Sequence, residues 1–242
     1  MPVKLGSAYD KEGDGDVIQT DRPTPRPKDA ATLILIRRDQ AQPRLLMGKR
    51  SGRHTFMPDK YVFPGGRVDA GDGRVPSLSE FRREEHSKVA HRTRRKPRAF
   101  GLTAIRETFE ETGLIVGRAS DFPGKPAADW TKYADQGAAP CLQGLSMIGR
   151  AITPPYRPKR FDARFFMAEA EEVLIDERPP VDGAELSDLQ WVTLDDAMGL
   201  DLPNVTRFMI GEIGERLKLK DVDAVRPPFL RWTPSGHTQD RI

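Results

Sequence analysis

The run Arg106-Glu107-Thr108-Phe109-Glu110-Glu111-Thr112-Gly113-Leu114 decides how the rest of this chain is read. At roughly 100° per residue a helix carries Glu107, Glu110 and Glu111 on one face. Leu102, Ile105 and Phe109 fall on the opposite side, so the spacing predicts an amphipathic helix over 101–112. Gly113 supplies the stop, because glycine tolerates the left-handed turn that closes a helix. Three carboxylates this close repel one another unless cations sit among them. Arg106, four residues before Glu110, is one partner within helical reach. A hard divalent cation with oxygen ligands, Mg2+ or Mn2+, would be another. A solvated acidic face is the competing reading of the same residues.

Upstream, Tyr61-Val62-Phe63-Pro64-Gly65-Gly66-Arg67-Val68-Asp69 reads as a short apolar strand broken by proline and a glycine pair. Such a pair lets backbone approach a ligand without side-chain obstruction. Together the two segments resemble the Nudix hydrolase signature, Gly-x5-Glu-x7-Arg-Glu-U-x-Glu-Glu-x-Gly-U, where U is aliphatic. Gly66 stands at its first glycine, and Arg106, Glu107, Glu110, Glu111 and Gly113 match its second half. Asp72 takes the place of the first glutamate and is one methylene short. Thr108 takes an aliphatic place. Residues 73–105, 33 in number, separate Asp72 from Arg106 where the signature has 7, so an insertion splits the signature.

The run Phe56-Met57-Pro58, with Thr153-Pro154-Pro155 and Lys159-Arg160-Phe161-Asp162-Ala163-Arg164-Phe165-Phe166, is similar to the coenzyme A diphosphatases that carry an interrupted box. The resemblance covers about residues 30–215 and implies an α/β Nudix fold, a mixed sheet sandwiched between helices. It further implies metal held by Glu107, Glu110, Glu111 and the Gly66 carbonyl, with Glu111 central and Arg106 orienting the carboxylates. The leucine–arginine lead of another coenzyme A motif is not clearly present. ADP-ribose, or another nucleoside diphosphate with a second group attached, therefore stays open as substrate, as does an RNA-binding protein with the same fold and no turnover. A general base is also required; Glu107 and the later Glu169, Glu171, Glu172 and Glu185 are candidates. Arg157, Lys159 and Arg160 are expected to bind phosphate, and Tyr156 or Phe161 to stack on a base. Trp191 reads as core.

The 242 residues suffice for one core with insertions. They divide into an extended, partly mobile lead-in at 1–29, one domain at 30–220, and a tail at 221–242. The net charge of +3 is unevenly spread. The insertion, about 73–98, carries nine cations, ending in Arg92-Thr93-Arg94-Arg95-Lys96-Pro97-Arg98. Its first part reads as a solvated helix and its end as a loop. Arg94 and Arg95 are expected to draw in a polyanionic substrate. His86 and His91 lack partners at zinc spacing and read as surface residues. Cys141 is the only cysteine, so no intrachain disulfide forms and a reducing compartment is expected. No apolar run approaches the ~20 residues of a membrane span, and the N-terminus lacks the apolar core of a secretory signal. The expected setting is cytoplasmic, with a small nucleotide diphosphate as partner rather than a membrane or nucleic acid. Oligomeric state is not legible.

Overall fold

The structure is a computed structural model that describes residues 23–52, 57–219, 225–233 and 236–242. Most of the lead-in, and Phe56, lie outside the described residues. A nine-stranded mixed sheet dominates. Its strands are β1 (Lys28–Arg37), β2 (Arg44–Arg50), β3 (Tyr61–Val62), β4 (Gly65–Arg67), β7 (Ser146–Ile152), β8 (Phe161–Glu169), β9 (Leu186–Thr193), β10 (Pro228–Thr233) and β11 (Gly236–Arg241). A separate two-stranded pair holds β5 (Arg118–Ala119) and β6 (Ala138–Ala139). The order is β11-β10-β7-β8-β1-β2-β3, with β4 on β1 and β9 on β2. Three helices of two turns or more pack on it: α1 (Arg83–Ala90), α2 (Pro97–Thr112) and α3 (Asn204–Arg216).

The central strand β1 explains both layers. Its side chains alternate across the sheet. Ala31, Leu33 and Leu35 join the cluster that includes Ile105 of α2 and Val89 of α1, while Ile34 and Ile36 join Phe208, Met209 and Ile213 of α3. β1 runs parallel to β8 in unbroken register from Lys28↔Phe161 to Ile36↔Glu169. Trp191 packs partly buried on the α2 side, beneath the Arg37 guanidinium at 4.2 Å.

Three expectations are corrected. α2 begins at Pro97, four residues before the apolar pattern does, because proline's fixed φ is already helical at the first position. Its end holds as read: Gly113 has φ 72 and donates its N–H to the Phe109 carbonyl at 2.9 Å. The insertion is not a solvated appendage. Phe81 stacks on Phe166 at 5.5 Å, Val89 is fully buried, and the buried Glu85 accepts from the Met147 N–H at 2.6 Å. Arg150 reaches the His91 carbonyl at 2.7 Å and Arg164 the Val89 carbonyl at 3.2 Å, so cations meet the C-terminal end of α1 where its carbonyls lack partners. His91 is accordingly half-buried, its ring edge-on to Phe229. Finally, much of the C-terminal stretch is no tail. β10 pairs with β7 (Phe229↔Arg150, Leu230↔Ala151) and β11 returns antiparallel beside it, with Pro228 as the first strand residue, where a missing N–H is tolerated.

Candidate active site

Arg106 is the hub that joins the divided signature. Its Nε and Nη2 donate to the two oxygens of Asp72, each at 3.2 Å, and its Nη1 donates to Glu107 and Glu110, each at 2.9 Å. Asp72 also accepts from the Thr103 hydroxyl at 2.6 Å and the Asp69 N–H at 2.9 Å. The shorter acid therefore fits: it is buried, and every bond it makes fixes the loop and the start of the acidic turn. Glu111 accepts from the Gly65 N–H at 2.8 Å. At Gly66 a Cβ would fall 2.4 Å from the Glu107 carboxyl carbon, so only glycine lets that carboxylate lie against the loop.

Glu107 and Glu111 line a cavity of about 530 Å³ together with Gly65, Gly66, Arg50, Glu185 and Arg157. Its other walls are mainly apolar, with Phe63, Phe165, Ile152, Pro203, Val205 and Leu230. Burial pushes the Glu107 carboxyl up to about 7 against the pull of Arg106, and the Glu111 carboxyl up to about 8 against the Gly65 N–H. Burial raises Glu110 as well. Arg106 is raised above its ordinary value: its bonds to Asp72 and the charges of Glu107 and Glu110 outweigh the opposing effect of burial.

Among the described residues no three or more His, Cys, Asp or Glu side chains are gathered to hold a metal. Glu110 accepts from the same Arg106 nitrogen as Glu107 and is absent from the cavity wall. The remaining pair still fits a hard cation. Glu111 is 6% exposed, and buried carboxylates short of positive charge are costly until one arrives.

No family model matches the chain. A Caenorhabditis elegans protein named as nudix hydrolase 7 is 28% identical over 68% of this chain and 51% of its own length. The acyl-coenzyme A diphosphatase NUDT19 of Gallus gallus is 26% identical over 61% of this chain and 53% of its own. The crystal structure of a NUDIX hydrolase from Alicyclobacillus acidocaldarius aligns with TM-score 0.61 and 28% identity, covering 82% of this chain and 94% of that one. In sequence and in fold the chain is similar to Nudix hydrolases. It spans about half the length of the curated relatives it matches.

The other predicted residues separate sharply. Arg157 is in the cavity wall and 3% exposed. Lys159 and Arg160 are not in the wall, and Arg160 spends its guanidinium on the carbonyls of Thr153 and Pro25, each at 2.9 Å. Arg94 and Arg95 are also outside it; Arg95 pairs with Asp29 at 2.5 Å. Of the four later glutamates only Glu185 lines the cavity. Glu169 pairs with Arg38 at 2.8 Å, Glu171 accepts the Arg38 N–H at 2.8 Å, and Glu172 is exposed. Tyr156 and Phe161 both line it. Arg50, at the end of β2, was not foreseen. Its signal was faint: the second of two cations, Lys49 and Arg50, that close the strand. Among the described residues no helix is long and apolar enough to cross a membrane.

Proposed function

We propose that this chain hydrolyses the diphosphate bridge of coenzyme A or an acyl-coenzyme A in the presence of Mg2+ or Mn2+, releasing 3′,5′-ADP and 4′-phosphopantetheine or its acylated form. The observation that carries the reading is the placement of two glutamates, the buried Glu111 and the half-buried Glu107, in the wall of a cavity whose remaining surface is largely apolar. The substrate class is supported by the relatives named as acyl-coenzyme A diphosphatases.

Phosphorus in a P–O–P link is shielded by anionic oxygens, so water attacks only when that charge is neutralised. Glu107 and Glu111, with the Gly66 carbonyl, are the residues that would hold the divalent ion. When bound, such an ion neutralises phosphate oxygens and acidifies coordinated water. Arg106 orients Glu107 and keeps its carboxylate against the loop. Glu185, in the wall of the same cavity, takes the proton of the attacking water as the new P–O bond forms and the bridging P–O bond breaks. Arg157 and Arg50 place guanidinium groups in the wall, where they can meet phosphate oxygens.

The test is a set of nucleotide diphosphates incubated with Mg2+ or Mn2+, with products identified by mass. Formation of 3′,5′-ADP and 4′-phosphopantetheine is expected, with kcat/KM higher for coenzyme A than for its dephospho form. Faster cleavage of ADP-ribose than of either would replace the substrate, and no cleavage of any diphosphate would remove the reaction.

A further inference from the structure

The helix α3 begins in the wall of the cavity, which Pro203, Asn204, Val205 and Thr206 all line. Pro203 stands at the N-cap and offers no side-chain acceptor to the turn that follows. Backbone bonding starts with the Arg207 N–H, which donates to the Pro203 carbonyl at 3.0 Å. The Val205 and Thr206 N–H groups before it have no partner among the described residues. No acidic side chain stands in this first turn to offset the positive end of the helix dipole.

An open helix start is ordinary where water can satisfy it, but here a side chain points to a ligand as well. Thr206 is 4% exposed, lines the cavity, and its hydroxyl has no hydrogen-bond partner among the described residues. The buried threonines of α2 behave differently: Thr103, Thr108 and Thr112 each donate to the carbonyl four residues back. A buried hydroxyl left unpaired is costly until something supplies an acceptor. Arg157, 3% exposed, adds a cation to the same wall. Donors at a helix start, with a guanidinium in the same wall, select an anion.

Position says which anion. Ala30 and Thr32 in the cavity wall alternate with Ile34, so the cavity lies on the α3 face of the sheet. Glu107 and Glu111 belong to α2, packed on the opposite face, and reach the cavity at the glycine pair. A diphosphate bridge held at those carboxylates leaves the start of α3 to a separate phosphate. We infer that the first turn of α3, through the Val205 and Thr206 N–H groups and the Thr206 hydroxyl, is an anion subsite for the 3′-phosphate of coenzyme A. This rests on the coenzyme A reading above and adds where its third phosphate is read.

The experiment uses 3′,5′-ADP and 5′-AMP, which differ by that phosphate alone. Their binding is measured by calorimetry with Mg2+ for the wild type, Thr206→Val and Pro203→Asp, with coenzyme A hydrolysis followed alongside. Thr206→Val removes the hydroxyl and keeps the branched side chain. Pro203→Asp caps the same N–H groups from within the chain and sets a negative charge against the phosphate. Should it fail to fold, Thr206→Val keeps the test available. Both variants are expected to bind 3′,5′-ADP at least about tenfold more weakly, the worth of one charge-assisted bond, and 5′-AMP within about twofold of wild type. Equal losses for the two nucleotides, unchanged binding of 3′,5′-ADP, or a wild type that does not prefer it to 5′-AMP overturns the subsite. In that case continuing coenzyme A hydrolysis leaves the reaction standing. Selective loss of 3′,5′-ADP in a protein that hydrolyses no coenzyme A keeps the subsite and removes the reaction.

Discussion

Arg106 and Asp72 meet through two hydrogen bonds of 3.2 Å although 33 residues lie between them, so the insertion leaves the two halves of the Nudix signature in contact. Both side chains are buried. Removing one member of such a pair strands the other charge, typically at a cost of about 3–5 kcal/mol. Asp72→Ala is expected near the lower end, because Arg106 keeps Glu107 and Glu110. Urea unfolding reads the loss. Stability within about 0.5 kcal/mol of wild type would show that this bridge does not hold the signature together.

How much of this was legible in the sequence follows from which interactions are local. Glu107, Glu110, Glu111, Arg106 and Gly113 sit on one helix, and their spacing alone places them. Gly66 was legible because a glycine pair after an apolar strand has few other uses. The fate of Glu110 was not, since Arg106 can reach three carboxylates and only the fold shows how it divides itself. Glu185 is 74 positions beyond Glu111, and sequence could not rank it above Glu169, which pairs with Arg38 instead. The hairpin of β10 and β11 was hidden for a related reason. Two prolines and a short apolar run read as a tail until β7 offers a free edge.

The insertion carries a second prediction. Its cations invite the reading that they capture substrate, but Arg94, Arg95 and Lys96 are absent from the cavity wall. Replacing all three with Ala is therefore expected to leave KM and kcat within about twofold at low salt. The Arg95–Asp29 pair is partly exposed, so its loss should cost no more than about 1 kcal/mol. A KM that rises tenfold and recovers at high salt would instead return these residues to substrate capture.

Acidity at the cavity makes stability depend on metal and pH together. Glu107 and Glu111 are pushed up to about 7 and about 8 from 4.5. Between about 4.5 and 8 the folded protein therefore holds protons that the unfolded chain has released, and stability falls as pH rises. In chelator, the melting temperature should fall from pH 5 to pH 8. Glu111→Gln, neutral throughout, should flatten that slope while binding metal far more weakly and losing at least a hundredfold in turnover. Mg2+ or Mn2+ requires the ionised carboxylates, so the melting shift it produces should grow toward pH 8. A metal-free melting temperature that climbs over this range would contradict the buried-carboxylate account.

Glu185 supplies the sharpest test of how the proton is handled. It is the one later glutamate in the cavity wall, and its charge adds to the upward push on both Glu107 and Glu111. A base reached through one water is worth about a hundred- to ten-thousandfold in rate. Glu185→Gln should lower kcat within that range and change KM by less than about threefold, because the amide keeps the shape of the wall and loses only proton affinity. Metal affinity gives the control. Removing a negative charge near the ion weakens it modestly if Glu185 is a base, whereas a ligand's loss would weaken it by an order of magnitude or more. Should kcat hold while metal binding collapses, Glu185 is a ligand and Glu107 inherits the role of base; should both hold, the proton leaves by another route.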